Sequence, residues 1–180
     1  MKNKYPKNLH VTEPNLISNL YFQYMKKKII EIGNFKEKKI ILDYGAGKGE
    51  LKQLNNKLNN KSTIINYDII KELSDVDDWK NVKFDTIVFC QVLVLIEPDE
   101  IKKMLEFLRK SNSNLEIITI ISSQSLLNKI GGFLLGHFDS HGHTKTNPLL
   151  EKAIFRENCE IIRYINYFNL FEIFKLKFKN

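Results

Sequence analysis

Ile40-Ile41-Leu42-Asp43-Tyr44-Gly45-Ala46-Gly47-Lys48-Gly49-Glu50-Leu51 is the stretch on which the reading of this chain turns. Three β-favouring apolar residues run into an aspartate, then into glycines at alternate positions, and a helix-like segment follows. This is a buried strand turning sharply into a helix, where open α/β sheets bind nucleotides. Lacking a Cβ, the glycines let the backbone turn tightly and approach a ligand closely. Two phosphate-binding loops do not fit. The dinucleotide fingerprint needs a third glycine where this chain has Glu50, whose carboxylate would also repel a pyrophosphate. The P-loop needs Gly-Lys followed by Ser or Thr, but Gly47-Lys48 is followed by Gly49.

The remaining pattern, Asp43 closing the strand ahead of Gly45, Gly47 and Gly49, resembles the first motif of class I S-adenosylmethionine (SAM)-dependent methyltransferases. The resemblance implies a loop wrapped around the amino-acid and ribose parts of a ligand that carries no phosphate there. It places Asp43, Gly45, Ala46 and Gly47 in contact with that ligand. The plain alternative is a strand–helix turn that uses glycine for geometry alone.

Two further stretches support the resemblance. The apolar run 63–67 ends at Asp68, 25 residues after Asp43. A carboxylate at the tip of a second strand suits a pair of ribose hydroxyls, and Ile69 lies beside it; a solvated strand-end aspartate is the competing reading. Phe84-Asp85-Thr86-Ile87-Val88-Phe89-Cys90 then reads as a third major strand. It leads through Gln91 and Val92 to Glu97-Pro98, where a helix can begin. This resembles the fourth motif of small-molecule methyltransferases, whose strand end lies beside the reactive methyl, and so assigns Cys90, Gln91 and Val92 to that side. With residues 115–122 as another strand, three such motifs occur in the family's order.

The fold class expected is α/β: a Rossmann-like, doubly wound, mostly parallel sheet with a C-terminal antiparallel hairpin. One domain spans 1–180, with 1–34 as an N-terminal helical extension. Thr12 can cap a helix over 13–32, in which Tyr21 and Tyr24 are either lid or core residues. Apolar spacing predicts helices over 50–59 and 98–110. The β-rich runs 160–165 and 168–178 form the hairpin, with its turn near Asn166.

The segment between the second and third major strands is short. Asp85 follows Asp68 by only 17 residues, where the family places a helix, a strand and a connection. Either a third strand survives as a vestige around 72–76, or the sheet loses a member. Asp77-Asp78-Trp79 then offers adenine a carboxylate and an indole, and the alternative is a surface loop anchored by its tryptophan.

A second cluster is His137-Phe138-Asp139-Ser140-His141-Gly142-His143. Its histidines can supply a general base for the acceptor. They can hold a metal through His141 and His143 with His137 or Asp139, or form a loop ahead of a helix starting near Pro148. The stretch resembles the acceptor-pocket segment of small-molecule methyltransferases. That resemblance implies a place in the acceptor pocket, with His141, His143 and His137 as the catalytic candidates, and no residue is assigned to a metal.

Composition fits an intracellular α/β enzyme: 43% hydrophobic and 27% charged residues are globular values. Cys90 and Cys159 lie in apolar runs with no disulfide or zinc pattern. No apolar run reaches the ~20 residues needed to span a membrane, and no signal-peptide core is present, so a cytoplasmic protein is expected. The net charge of +7 does not by itself imply nucleic acid, because only Arg109, Arg156 and Arg163 are arginines among 28 basic residues. Lys26-Lys27-Lys28 and the alternating Lys175, Lys177 and Lys179 read as solvated faces. The function expected is SAM-dependent methyl transfer to a small molecule. An RNA-directed enzyme is the runner-up, and a non-catalytic binding module on the same fold is the other class.

Overall fold

A computed structural model of the chain describes residues 16–122 and 144–179. Its strands are β1 (Ile40–Tyr44), β2 (Thr63–Tyr67), β3 (Thr86–Cys90), β4 (Glu116–Ser122), β5 (Cys159–Tyr167) and β6 (Phe171–Phe178). The helices are α1 (Leu16–Gly33), α2 (Glu50–Lys57), α3 (Pro98–Ser111) and α4 (Pro148–Asn158). They cover a six-stranded sheet of order β2-β1-β3-β4-β6-β5. The first four strands are parallel, and β6 runs antiparallel to both β4 and β5.

The sheet is doubly wound because its central strands are apolar on both faces. Leu42, Ile87, Phe89, Ile117 and Ile121 meet Ile101, Met104, Leu105 and Leu108 of α3 and Ile154 and Phe155 of α4. Ile41, Val88, Ile118 and Ile120 face the other way, toward Met25 and Ile29 of α1 and Leu51 and Leu54 of α2. Pro98 sits in the first turn of α3, with Asp99 and Glu100 at that end and Arg109 and Lys110 at the other, each sign matching the helix dipole. Asn147 caps α4, its Oδ1 accepting from the amides of Leu149 at 3.1 Å and Leu150 at 3.0 Å.

The C-terminal hairpin turns later than its sequence suggests. β5 runs through Asn166, and the turn is made by Phe168 and Asn169, at φ 47° and 55°. Asn166 braces it, its Oδ1 accepting from the Asn169 amide at 3.0 Å.

Between β2 and β3 the sheet has lost a strand. The chain makes two single-turn 3₁₀ helices, Lys71–Leu73 and Trp79–Asn81, and no vestigial strand forms around 72–76. Asp75 takes over part of the missing strand's work. Its amide donates to the Asn66 carbonyl at 2.9 Å, and its Oδ2 accepts from the Asn66 amide at 2.7 Å. One residue therefore satisfies the outward-facing polar groups of β2 at this point. Trp79, 5% exposed, anchors the segment, its ring edge-on to Tyr44 at 5.6 Å and to Phe107 at 5.4 Å.

At the opposite end of the sheet, Glu116 opens β4 between two lysines. Lys39 Nζ lies 2.9 Å away and Lys175 Nζ 2.8 Å away. Burial works to raise the Glu116 pKa, but the hydrogen bonds from Lys175 and Lys39 outweigh it and hold the carboxyl below its ordinary value. Lys175 is therefore a half-buried ion-pair partner and not part of a solvated face.

Candidate active site

The C-terminal ends of β1, β2 and β3 bring most of the sequence-predicted residues together. Asp43, next to last in β1, is 2% exposed, and its Oδ1 has no hydrogen-bond partner among the described residues. Burial pushes its pKa up to about 7; Lys26 opposes the shift and Asp68 adds to it. A buried acceptor without a donor is costly in a finished fold, and such a group is explained when a ligand supplies the donor.

The loop after Asp43 holds Gly45, Gly47 and Gly49 at φ 75°, 53° and 68°. A Cβ on Gly45 would lie 2.3 Å from the Val92 side chain, and one on Gly49 would lie 2.6 Å from Asn66 Nδ2. A Cβ on Gly47 would meet nothing within 4 Å. The outer two glycines thus serve packing, and the middle one faces open space. The amides of Gly45 and Ala46 both donate to the Tyr67 carbonyl, at 2.8 and 3.0 Å, and tie the loop to the tip of β2. Just beyond, Asp68 accepts from the Gly47 amide at 2.9 Å and the Ile70 amide at 3.0 Å. Each of its oxygens keeps a further acceptor direction.

On the β3 side, Val92 packs on Gly45, and Gln91 adopts φ 58°, uncommon for a residue with a Cβ. Burial, then the Asp43 charge, pushes the Cys90 thiol up to about 12, far from a thiolate nucleophile. The segment that opens at Thr144 docks here too, with the amides of Lys145 and Thr146 donating to the Val94 carbonyl at 2.8 and 3.4 Å. Thr146 and Glu151 are buried, and burial lifts the Glu151 carboxyl to about 7. Neither was singled out from sequence, where an isolated Thr and a helix-start Glu carry no signal.

Helix α1 covers this end of the sheet. Tyr21 stands edge-on to Phe171 at 5.6 Å, and burial followed by the nearby Cys90 pushes its hydroxyl up to about 12. Tyr24 lies 4.5 Å from Tyr167 between ring centroids. Lys26 is 8% exposed and forms an ion pair with Glu50 at the start of α2. Its reading as part of a solvated run is corrected here. The signal was present: Lys26 lies four residues after Phe22 and three before Ile29, on the helix stripe that also carries Met25.

The remaining candidates are dispersed. Ile69 is 79% exposed, and Asp77 pairs with Lys71 at 2.9 Å on the surface. Asp78 caps the Trp79 turn, its Oδ1 accepting from the Lys80 amide at 3.0 Å, and Trp79 itself lies in the core. His137, His141 and His143 lie outside the described residues. Among those described, no group of three metal-ligating side chains assembles.

No family model matches the sequence, and no curated protein does. Solved structures match over almost the whole chain. A protein of Pyrococcus horikoshii OT3 superposes with TM-score 0.66 at 13% identity, covering 89% of this chain and 91% of its own. The magnesium protoporphyrin IX methyltransferase of Synechocystis PCC 6803, with SAH bound, gives TM-score 0.57 at 14% identity, covering 93% of this chain and 90% of its own. The fold is that of the class I methyltransferases. A riboflavin-analogue dimethyltransferase of Streptomyces davawensis adds TM-score 0.66 at 13% identity, over 91% of this chain but only 56% of its own. This chain thus has the length of a bare methyltransferase-fold domain and spans about half of that larger enzyme.

Proposed function

We propose that the protein is a SAM-dependent methyltransferase acting on a small molecule. The carrying observation is the Asp43 carboxyl, buried at the loop of alternate glycines with one oxygen unpartnered among the described residues. It fits a ligand that brings an ammonium group. Gly47 offers open backbone beside it, and Asp68 offers two acceptor directions suited to vicinal hydroxyls. When bound, SAM supplies an already activated methyl group. The chain's own contribution is then positioning: Asp43 and the glycine loop hold the amino-acid end, and Asp68 the ribose. Gln91 and Val92 border the acceptor. His141, His143 or His137 takes a proton from an acceptor that arrives protonated. The neighbours named as methyltransferases of small organic molecules support this acceptor class over RNA.

Calorimetric titration of the full chain with SAM and with SAH tests the reading. The wild type should bind both in the micromolar range. Asp68→Ala should weaken binding about 10- to 100-fold, as expected for losing hydrogen bonds to a charged acceptor. If neither ligand binds, the chain is a module that kept the fold without the cofactor, the reading that the lost strand after β2 favours.

A further inference from the structure

β5 is the longer of the sheet's two outer strands, nine residues against the five of β2. It contains no lysine or proline, the residues that commonly blunt a strand edge. Residues 160–164 are all exposed, and Ile161, Ile162 and Tyr164 among them put large apolar surface in water. The charges say what fits there. Glu160 lies opposite Lys177 of β6 and Arg163 opposite Lys175, and residues two apart on β6 share a face. Glu160 and Arg163 therefore share that face too, although residues three apart on a regular strand point to opposite sides. The bulge at Ile162 makes the difference. Among the described residues neither charge belongs to an ion pair: Arg163 acts on Glu31 only at longer range, and across its own sheet it meets the like charge of Lys175. The strand thus presents one free charge of each sign, side by side, on one face of an open edge.

We propose that β5 pairs antiparallel with β5 of a second copy of this chain, about a two-fold axis that passes through the pairing at Ile161, perpendicular to the sheet. Such an axis keeps each face of one sheet continuous with the same face of the other, so only residues on the same face can oppose each other. The strand meets that condition. With Ile161 opposite its own copy, Glu160 faces Arg163 of the second copy and Arg163 faces its Glu160, both on the side of Ile173 and α1. Cys159 then faces Tyr164 of the second copy on the other side, because both lie on the face of Phe174 and Phe178. The two Ile161 side chains meet on that side, next to the apolar hollow that Ile161 lines with Phe155 and Phe174. Each copy uses the same surface, so the assembly closes at two and does not grow into a fibre. This inference is independent of the SAM reading.

Sedimentation equilibrium of the full chain across the micromolar range tests it, and the wild type should be dimeric. Arg163→Glu and Glu160→Arg each set like charges against each other at both symmetry-related contacts, and each should weaken the dimer at least about tenfold. Both positions are exposed, so the thermal melt of each variant should show an intact fold. The double swap, Glu160→Arg with Arg163→Glu, restores opposite charges at both contacts and should recover wild-type association. An equimolar mixture of the two single variants should form a heterodimer, since one then carries two positive charges at the facing positions and the other two negative ones. A wild type that stays monomeric throughout overturns the proposal, as does association that the single changes leave untouched. So does a loss that the double swap or the mixture fails to restore. Association that continues past the dimer as concentration rises overturns the closed two-fold pairing.

Discussion

Two carboxylates, one half-buried and one buried, lie at opposite ends of the same sheet and have opposite fates. Glu116, at the start of β4, sits between Lys39 and Lys175 and is held below its ordinary pKa. Asp43, at the end of β1, is more deeply buried, has an unpartnered oxygen among the described residues, and is pushed up to about 7. Both lie beside parallel strands of similar apolar character, and lysines are abundant throughout the chain. The difference is one of use. At the end that only has to fold the carboxylate is neutralised, and at the end that would receive a ligand Asp43 keeps an oxygen without a donor among the described residues.

The largest effect should come from disturbing the satisfied end. Glu116→Gln leaves Lys175 without its carboxylate partner and Lys39 with only Glu37 at 3.5 Å, and unfolding in urea should show a loss of about 2 kcal/mol, below the range for a fully buried ion pair because this triad is half-buried. Asp43→Asn should act in the opposite direction, raising the stability of the ligand-free protein by about 2 kcal/mol at pH 8 while abolishing SAM and SAH binding. The two sites also bend the pH profile oppositely. The Asp43 carboxyl holds its proton in the folded state where the unfolded chain has released it, so its contribution to stability falls as pH rises from about 4 to about 7. Glu116 contributes stability that is present above the unfolded glutamate pKa and is lost as pH falls through its lowered folded value. Thermal melts of the two variants from about pH 2 to about pH 8 should each lack one of these slopes, Glu116→Gln the acid one and Asp43→Asn the one between about 4 and about 7.

The smallest effect on folding belongs to Gly47→Ala. A methyl group there meets nothing within 4 Å, so the cost should be about 1 kcal/mol of left-handed backbone strain. SAH affinity should fall far more than stability, because the open space over Gly47 is where a ligand backbone would lie. Equal small losses in both measurements would show that the ligand passes elsewhere.

What was legible in the sequence follows the same division. The strand–glycine–helix stretch, Asp68 at the end of β2 and the β3 tip announced themselves through local pattern, because each needs particular residue types at fixed spacing. The doubly wound order followed from apolar runs separated by helical spacing. The lost strand was visible only as a missing length, and nothing in the sequence marked Asp75 as its substitute, since one aspartate facing a strand edge looks like any loop residue. Lys26 and Lys175 were hidden for another reason. A lysine's sequence context says which face it occupies, but its partner comes from another element, Glu50 in one case and Glu116 in the other. Trp79 shows the limit of residue type as a guide: the same indole suits a stacking platform or a core anchor, and its place against Tyr44 and Phe107 was set by packing partners far apart in the chain.

Asp75 has a consequence for how this molecule meets others like it. A sheet that ends early exposes a flat strand edge, an invitation for a second chain to add itself in register. Here the invitation is withdrawn near the C-terminal end of β2. The Asn66 amide and carbonyl are already engaged by Asp75, and Lys52 at 2.9 Å adds a positive charge at the same spot. At this position an incoming strand would have to displace a hydrogen-bonded carboxylate and an ion pair, so the residue that completes the shortened segment also obstructs strand addition at the β2 edge.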